Sequence, residues 1–266
     1  MAQLRRLVPV AMMALAGCAT APSAPSSDVA PTGPLRVAIG VGPSPSAFWA
    51  VHDASGNPRG VTVELGKAAA ARLGVPVKLV EYPNSGEITA AASKNAWDIS
   101  FMPQDPEREK FVDTGPSYVV YETTLAVHAG SDARRIADVD RAGLKVGAIE
   151  GTSVSRALKA SLKQASLALF PKAEDAIAQF AAQRLDALAM GREALNDVGK
   201  KLPGTRVLDD NVASTGVVVA VPKGRPAARA WAARFIEEAK IDGTVRRALD
   251  GAGFANATIP TRGERP

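Results

Sequence analysis

From Leu35 onward the chain alternates short apolar runs with stretches patterned for helices, and nothing else in its 266 residues restricts the fold as much. Residues 35–39, 77–82 and 97–101 read as strands, and 61–73 and 88–93 as helices, the first of them stopped by Gly74. The rhythm restarts with a strand at 144–149, a helix at 153–163, a strand at 167–170, a helix at 174–183 and a strand at 185–190. Residues 217–221 form a β-branched run before Pro222, and Ala228, Trp231, Ala232, Phe235 and Ala239 fall on one helix face, which makes them core. Strands alternating with helices imply an α/β fold with parallel sheets and crossover helices. Such sheets present ligands with a crevice at the carboxyl ends of their strands. The length allows one large domain or two lobes of about 100 residues each.

Ahead of this body stand Arg5-Arg6, an apolar run from Leu7 to Leu15, and Ala16-Gly17-Cys18. A basic start, a short apolar stretch and small residues before a cut mark a secretory signal. The run falls short of the roughly 20 residues that span a bilayer. The Leu15-Ala16-Gly17-Cys18 segment resembles the bacterial lipoprotein box. That resemblance implies removal of residues 1–17, lipidation of Cys18 and contact with a membrane through the lipid. Cys18 is the only cysteine, which excludes an intrachain disulfide framework and a multi-cysteine metal site. Residues 18–34, rich in Pro, Ala and Ser, read as a flexible linker. Extended at about 3.1 Å per residue, it lifts the body roughly 50 Å from a membrane.

Several function classes are disfavoured. The formal net charge is +5, but its basic residues are scattered in pairs such as Arg134-Arg135, Lys200-Lys201 and Arg246-Arg247. A nucleic-acid partner calls for a basic stripe or a recognisable module, and neither is present. The two histidines, His52 and His128, lack metal-ligand spacing. There is no G-x-S-x-G elbow and no G-x-x-x-x-G-K-S/T loop, and Gly40-Val41-Gly42 lacks the third glycine of a dinucleotide loop. No cofactor is expected.

The stretch 97–118 carries the most chemistry. Asp105-Pro106-Glu107 predicts a helix start, with Asp as N-cap and Pro in the first position. Arg108 then falls in the first turn, where a cation opposes the helix dipole. Two readings remain open. Arg108 docks an anion, because a guanidinium grips a carboxylate through two parallel hydrogen bonds. Alternatively it is an exposed side chain paired with Glu107 or Asp113.

The ordered features are a strand, Gly60-Val61-Thr62-Val63-Glu64-Leu65-Gly66-Lys67-Ala68, Asp98, Asp105-Pro106-Glu107-Arg108, Pro116-Ser117-Tyr118 and Gly147-Ala148-Ile149-Glu150-Gly151-Thr152. Together they resemble the polar amino-acid ABC-transporter solute-binding proteins of family 3, over nearly all of residues 35–254. The resemblance implies the type II periplasmic-binding fold: two α/β lobes with mainly parallel sheets joined by two hinge strands. Lobe I would comprise 35–120 and 214–252, lobe II 123–209, and the C-terminal tail 253–266, with hinges near 119–122 and 210–213. It further implies that Arg108 holds a ligand carboxylate, that Ser100 lies at the cleft, and that Thr152 and Ser153 close over the ligand from a helix N-terminus. Free N–H groups at such a terminus attract anions independently of any resemblance, although simple N-capping explains Thr152 and Ser153 equally. Phe48 or Trp49 matches the family's ligand-packing aromatic, or is an ordinary core residue.

Three departures stand out. The segment from Asp98 to Arg108 is two residues shorter than in the family, so Met102, Pro103 and Gln104 occupy a reshaped loop, with Met102 and Gln104 as candidate contacts. Glu64 replaces the usual Asp. Gly191 stands where the family carries the Asp that pairs with a ligand ammonium, with Arg192 beside it. A buried ammonium without a carboxylate partner is costly. The expected ligand is therefore amino-acid-like or an organic acid, with Glu150 as another possible acceptor for an amine. The resemblance implies a monomeric, non-enzymatic periplasmic protein serving a membrane permease and ATPase. Two alternatives remain: an exported dehydratase of a cyclic carboxylate, with Glu64, Glu87 or Glu150 as its acid, and a ligand-delivery module for a sensor or efflux system.

Overall fold

Two βαβαβ units carry the structure, a computed structural model that describes residues 26–41 and 46–264. Cys18 and the signal sequence lie outside the described residues. After a short helix α1 (Ser26–Val29), the first unit runs β1 (Leu35–Gly40), a small ribbon of β2 (Val51–His52) and β3 (Pro58–Arg59), α2 (Val61–Leu73), β4 (Val77–Tyr82), α3 (Ser85–Ala92) and β5 (Ile99–Pro103). A long strand, β6 (Val112–His128), and α4 (Ile136–Val139) lead to the second unit. This runs β7 (Lys145–Ile149), α5 (Ser153–Ser161), β8 (Ser166–Phe170), α6 (Ala173–Ala181) and β9 (Ala187–Gly191). Then follow α7 (Arg192–Lys201), β10 (Thr205–Val207), β11 (Ala213–Pro222), α8 (Pro226–Ile241) and α9 (Thr244–Gly251).

The units share one topology. Parallel strands lie in the order β4-β1-β5 in the first and β8-β7-β9 in the second, so the first strand of each unit is central. In both, the chain runs from the central strand out to one neighbour and then crosses back over it to the other, which opens a crevice at the carboxyl end of the central strand. Antiparallel β6 and β11 join the lobes. β11 pairs with β5 on one side and β6 on the other, while Thr123–Val127 of β6 continues against β9. The crossing falls where Ala213, Ser214 and Thr215 pair with Thr123, Glu122 and Tyr121, next to the expected hinge segments.

Local chemistry explains the elements. Gly74 ends α2 in the left-handed region at φ 68°, its N–H returning to Ala70 and Ala71 carbonyls. The face predicted for α8 is buried: Ala228, Trp231, Ala232, Phe235 and Ala239 join the lobe I core with Leu35, Val37 and Leu65. Separate clusters around Leu125 and Phe180 fill the two sides of the lobe II sheet. Asp98, fully buried, accepts Arg36 Nη2 at 2.8 Å, the Arg36 backbone N–H at 2.9 Å and Arg225 Nη1 at 3.2 Å. Arg225 also donates to the Asp28 and Val29 carbonyls, so one carboxylate ties β1, β5, α8 and α1 together.

Two expectations need correction. Residues 26–34, read as part of the linker, contain α1, and Val29 and Ala30 are buried in the lobe I core. Burial of these two apolar residues and the Arg225 clamp outweigh the Pro/Ser-rich composition. Asp105 does not open an α-helix: its Oδ1 accepts the Glu107 N–H at 2.9 Å, and only one 3-10 turn follows, at Arg108–Lys110. The long strand β6 has no counterpart among the elements expected from sequence, because Gly115-Pro116 interrupts its apolar pattern. Pro lacks an N–H donor, and it falls where the β6–β11 register shifts between Val218 and Ala220, so the strand tolerates it.

Candidate functional site

The carboxyl ends of the strands converge on one cavity between the lobes. Gly40 ends β1, Phe101 and Pro103 end β5, Ile149 ends β7, and Ala189, Met190 and Gly191 end β9; all line it. Trp49, Ser85, Ile88, Tyr121, Thr152, Ser153 and Val154 complete the wall. Its free volume is about 50 Å³, several times the roughly 10–15 Å³ that holds one water. Most of these side chains are apolar.

The cavity is small because the lobes are closed on each other. Arg156 on α5 donates from Nε to Asp105 Oδ2 at 2.8 Å, and its Nη2 reaches the same oxygen. Beside this pair, backbone meets backbone: a Cβ at Gly86 would stand 3.0 Å from the Gly151 carbonyl oxygen. Gly151 itself has φ 70° and turns the chain into α5. Charge-assisted hydrogen bonds contribute about 1.5–3 kcal/mol each, less where partly exposed. Arg156→Ala is therefore expected to shift the unliganded protein toward an open form. Small-angle scattering checks this through an increased radius of gyration; an unchanged profile contradicts it.

Arg108 is almost completely buried. Its Nη2 donates to Ser85 Oγ at 2.7 Å and its Nη1 to the Pro103 carbonyl at 3.2 Å, so it stands directly behind two cavity-wall residues. Its Nε has no hydrogen-bond partner, and no carboxylate pairs with it among the described residues. Burial, with the nearby Arg156 charge second, pulls the guanidinium down to about 10. It remains a cation at neutral pH.

Across the cavity, Thr152 caps α5: its Oγ1 accepts the Ser155 N–H at 3.2 Å and donates to the Ile149 carbonyl at 2.8 Å. One residue thus caps the helix and lines the cavity. Ser153 lies beside it in the first turn, where N–H groups have no intrahelical acceptor. The amino-terminal ends of α3 and α7 also reach the wall, at Ser85 and at Gly191, the residue that precedes α7. Three helix dipoles therefore direct their positive ends toward one space.

Of the other residues singled out by sequence, Trp49 lines the cavity, whereas Phe48 is packed beneath it against Trp49, Tyr121 and Phe254. Ser100 and Met102 do not line it. Successive strand residues face opposite sides, and β5 presents Phe101 and Pro103 to the cavity instead. Ser100 Oγ donates to the Ala38 carbonyl at 2.9 Å, and Met102 packs in a cluster with Ile88 and Trp97. Gln104 lies in a neighbouring groove beside Asp105 and Arg156 and donates to Glu109. Arg192 is turned away from the cavity and donates to Glu122 at 2.8 Å and to the Leu208 carbonyl at 2.9 Å. Glu64, Glu87 and Glu150 are exposed, and none lines the cavity. Sequence reading missed Ser85, Ile88, Tyr121, Ile149 and Met190. Strand ends and the Asn84-Ser85 helix start were the available signals.

No helix among the described residues is long and apolar enough to cross a membrane, and no cluster of acidic, histidine or cysteine side chains there fits a metal. Solved structures share the fold. An ancestral amino acid-binding protein, AncCDT-1, described as a precursor of cyclohexadienyl dehydratase, is 26% identical, with a TM-score of 0.75 over 85% of this chain and 98% of that one. An ancestral arginine-binding protein bound to arginine is 24% identical, with a TM-score of 0.74 over 83% and 98%. An amino acid ABC transporter substrate-binding protein from Streptococcus pneumoniae, bound to L-arginine, is 22% identical, with a TM-score of 0.74 over 86% and 98%. No curated protein sequence matches the chain. The sequence profile of the bacterial extracellular solute-binding proteins, family 3, matches residues 37–251, and the chain belongs to that family.

Proposed function

We propose that this protein captures a small carboxylate-bearing solute between its two lobes and delivers it to the permease and ATPase of an ABC importer. One observation carries the reading: Arg108 is a buried cation with a free Nε, behind the wall of an inter-lobe cavity that faces the amino-terminal ends of α3, α5 and α7. A carboxylate entering that space displaces the Ser85 and Pro103 contacts, satisfies Nε and gains the α5 N–H groups beside Thr152 and Ser153. Trp49 packs against its body. The structural neighbours that bind amino acids support this reading, and so does the shared fold. The lobes divide as 35–120 with 214–252 and as 123–209, moving about the segments near 119–122 and 210–213. Closure is favoured by contacts that exist only when both walls engage the ligand. The basic, apolar leader and the Leu15-Ala16-Gly17-Cys18 segment support a location outside the cytoplasm with a lipid anchor at Cys18.

A thermal-shift screen of amino acids, organic acids and amines tests the reading. A ligand at 100 times its Kd stabilises by about 2.7 kcal/mol, and carboxylates are expected to supply the hits. Amines without a carboxylate as the sole hits would contradict it. The pH profile is a second check. Arg108 stays charged well above neutrality, so affinity holds level from about pH 6 to 9. It falls below that window as the ligand's own carboxyl protonates, near pH 4, and above it as Arg108 loses its proton, at about 10. A midpoint near pH 7 would point to a different binding group.

A further inference from the structure

We infer that Tyr121 is a specificity-determining residue, and that it and Gly191 restrict the site to carboxylates without an α-ammonium group; the inference rests on the carboxylate reading above. An ammonium taken from water needs a carboxylate or a set of acceptors. The cavity wall contains no Asp or Glu. Its electrostatics run the other way, with Arg108 behind one wall and the positive ends of α3, α5 and α7 at the others.

Tyr121 accounts for the missing acid in steric terms. A Cβ built on Gly191 would stand 2.1 Å from the Tyr121 hydroxyl oxygen. The hydroxyl therefore fills the space that any side chain at 191 would occupy, and only glycine fits beside it. Tyr121 sits on β6 at the crossing between the lobes, held by ring contacts with Phe48 and Trp49 at 5.4 and 5.1 Å. Burial raises its hydroxyl well above the ordinary tyrosine range, and it stays neutral. Glu193, whose charge acts on the Tyr121 hydroxyl, lines a separate cleft with Val120, Arg192 and Phe254 and is not among the residues that line this cavity. The wall left to the ligand's body is Trp49, Ile88, Phe101, Ile149 and Met190, which suits an apolar substituent.

Titration calorimetry of the full chain with matched pairs tests the inference: propanoate and alanine, 4-methylpentanoate and leucine, 3-phenylpropanoate and phenylalanine. In the pairs that bind, the acid without the amine is expected to bind at least tenfold tighter. An amino acid binding as tightly as its partner, or tighter, overturns the inference. If Arg108→Gln abolishes that same binding, the carboxylate reading survives. If Arg108→Gln leaves binding unchanged, or if no member of any pair binds, both fall. Combining Tyr121→Ser with Gly191→Asp frees the space and supplies an acid. The ratio is expected to move at least tenfold toward the amino acid, and an unmoved ratio overturns the role of Tyr121. Should that variant fail to fold, Gly191→Ala forces a methyl group against the hydroxyl. It is expected to weaken acid binding at least tenfold, and unchanged affinity overturns the assignment of this contact as a cavity wall.

Discussion

Arg108→Ala is expected to reduce affinity for a carboxylate ligand by roughly a hundredfold or more, the loss of two charge-assisted hydrogen bonds at about 1.5–3 kcal/mol each. The same change should leave stability almost untouched. In the unliganded protein the guanidinium carries a desolvation cost that lowers its proton affinity, and its bonds to Ser85 and the Pro103 carbonyl offset that cost only in part, with Nε left over. Removing the cation removes both the bonds and the cost. Calorimetric titration and thermal unfolding of the same sample separate the two effects. Lost affinity with a large fall in the unfolding midpoint would mean that Arg108 is a structural residue.

Asp98→Ala is expected to do the reverse, lowering stability by about 3 kcal/mol. Asp98 has no exposed surface and accepts from two arginines and a backbone N–H, so truncation strands donors on β1 and at the start of α8. Both arginine side chains keep some contact with water, at 18% and 17% exposure, which holds the loss toward the lower end of the buried-pair range. Against a typical total of 5–15 kcal/mol, this is a large share. Urea unfolding measures it directly, and a midpoint equal to wild type would show that the network contributes nothing. The Val29 and Ala30 packing that Arg225 secures should loosen too, visible as faster amide exchange in residues 26–34.

These two residues illustrate what the sequence reveals. The βαβαβ rhythm was legible because period and punctuation agree: the apolar runs of β1, β4 and β7 are bounded by turn residues, and Gly74 closes α2 where the pattern stops. β6 was not legible, because Gly115-Pro116 reads as a break and only the irregular pairing with β11 accommodates it. The site was legible where a residue's position is set by an element's end. Thr152 and Ser153 open a helix that follows a strand, so they arrive at the cavity. It was not legible where side-chain parity decides, and a one-residue error on β5 exchanges Ser100 and Met102 for Phe101 and Pro103. Tyr121 was out of reach for another reason. Its contact with Gly191 joins two strands 70 positions apart, and no local pattern marks it.

The most direct measurement is the side-chain 15N spectrum of the protein as a carboxylate from the screen is titrated in. One arginine Nε–H resonance, assigned to Arg108 by its absence in Arg108→Gln, is expected to shift in step with saturation as its unpartnered donor gains an oxygen. A resonance that stays fixed while the ligand saturates would contradict the carboxylate reading, because the ligand would then be bound without the cation on which the proposed site depends.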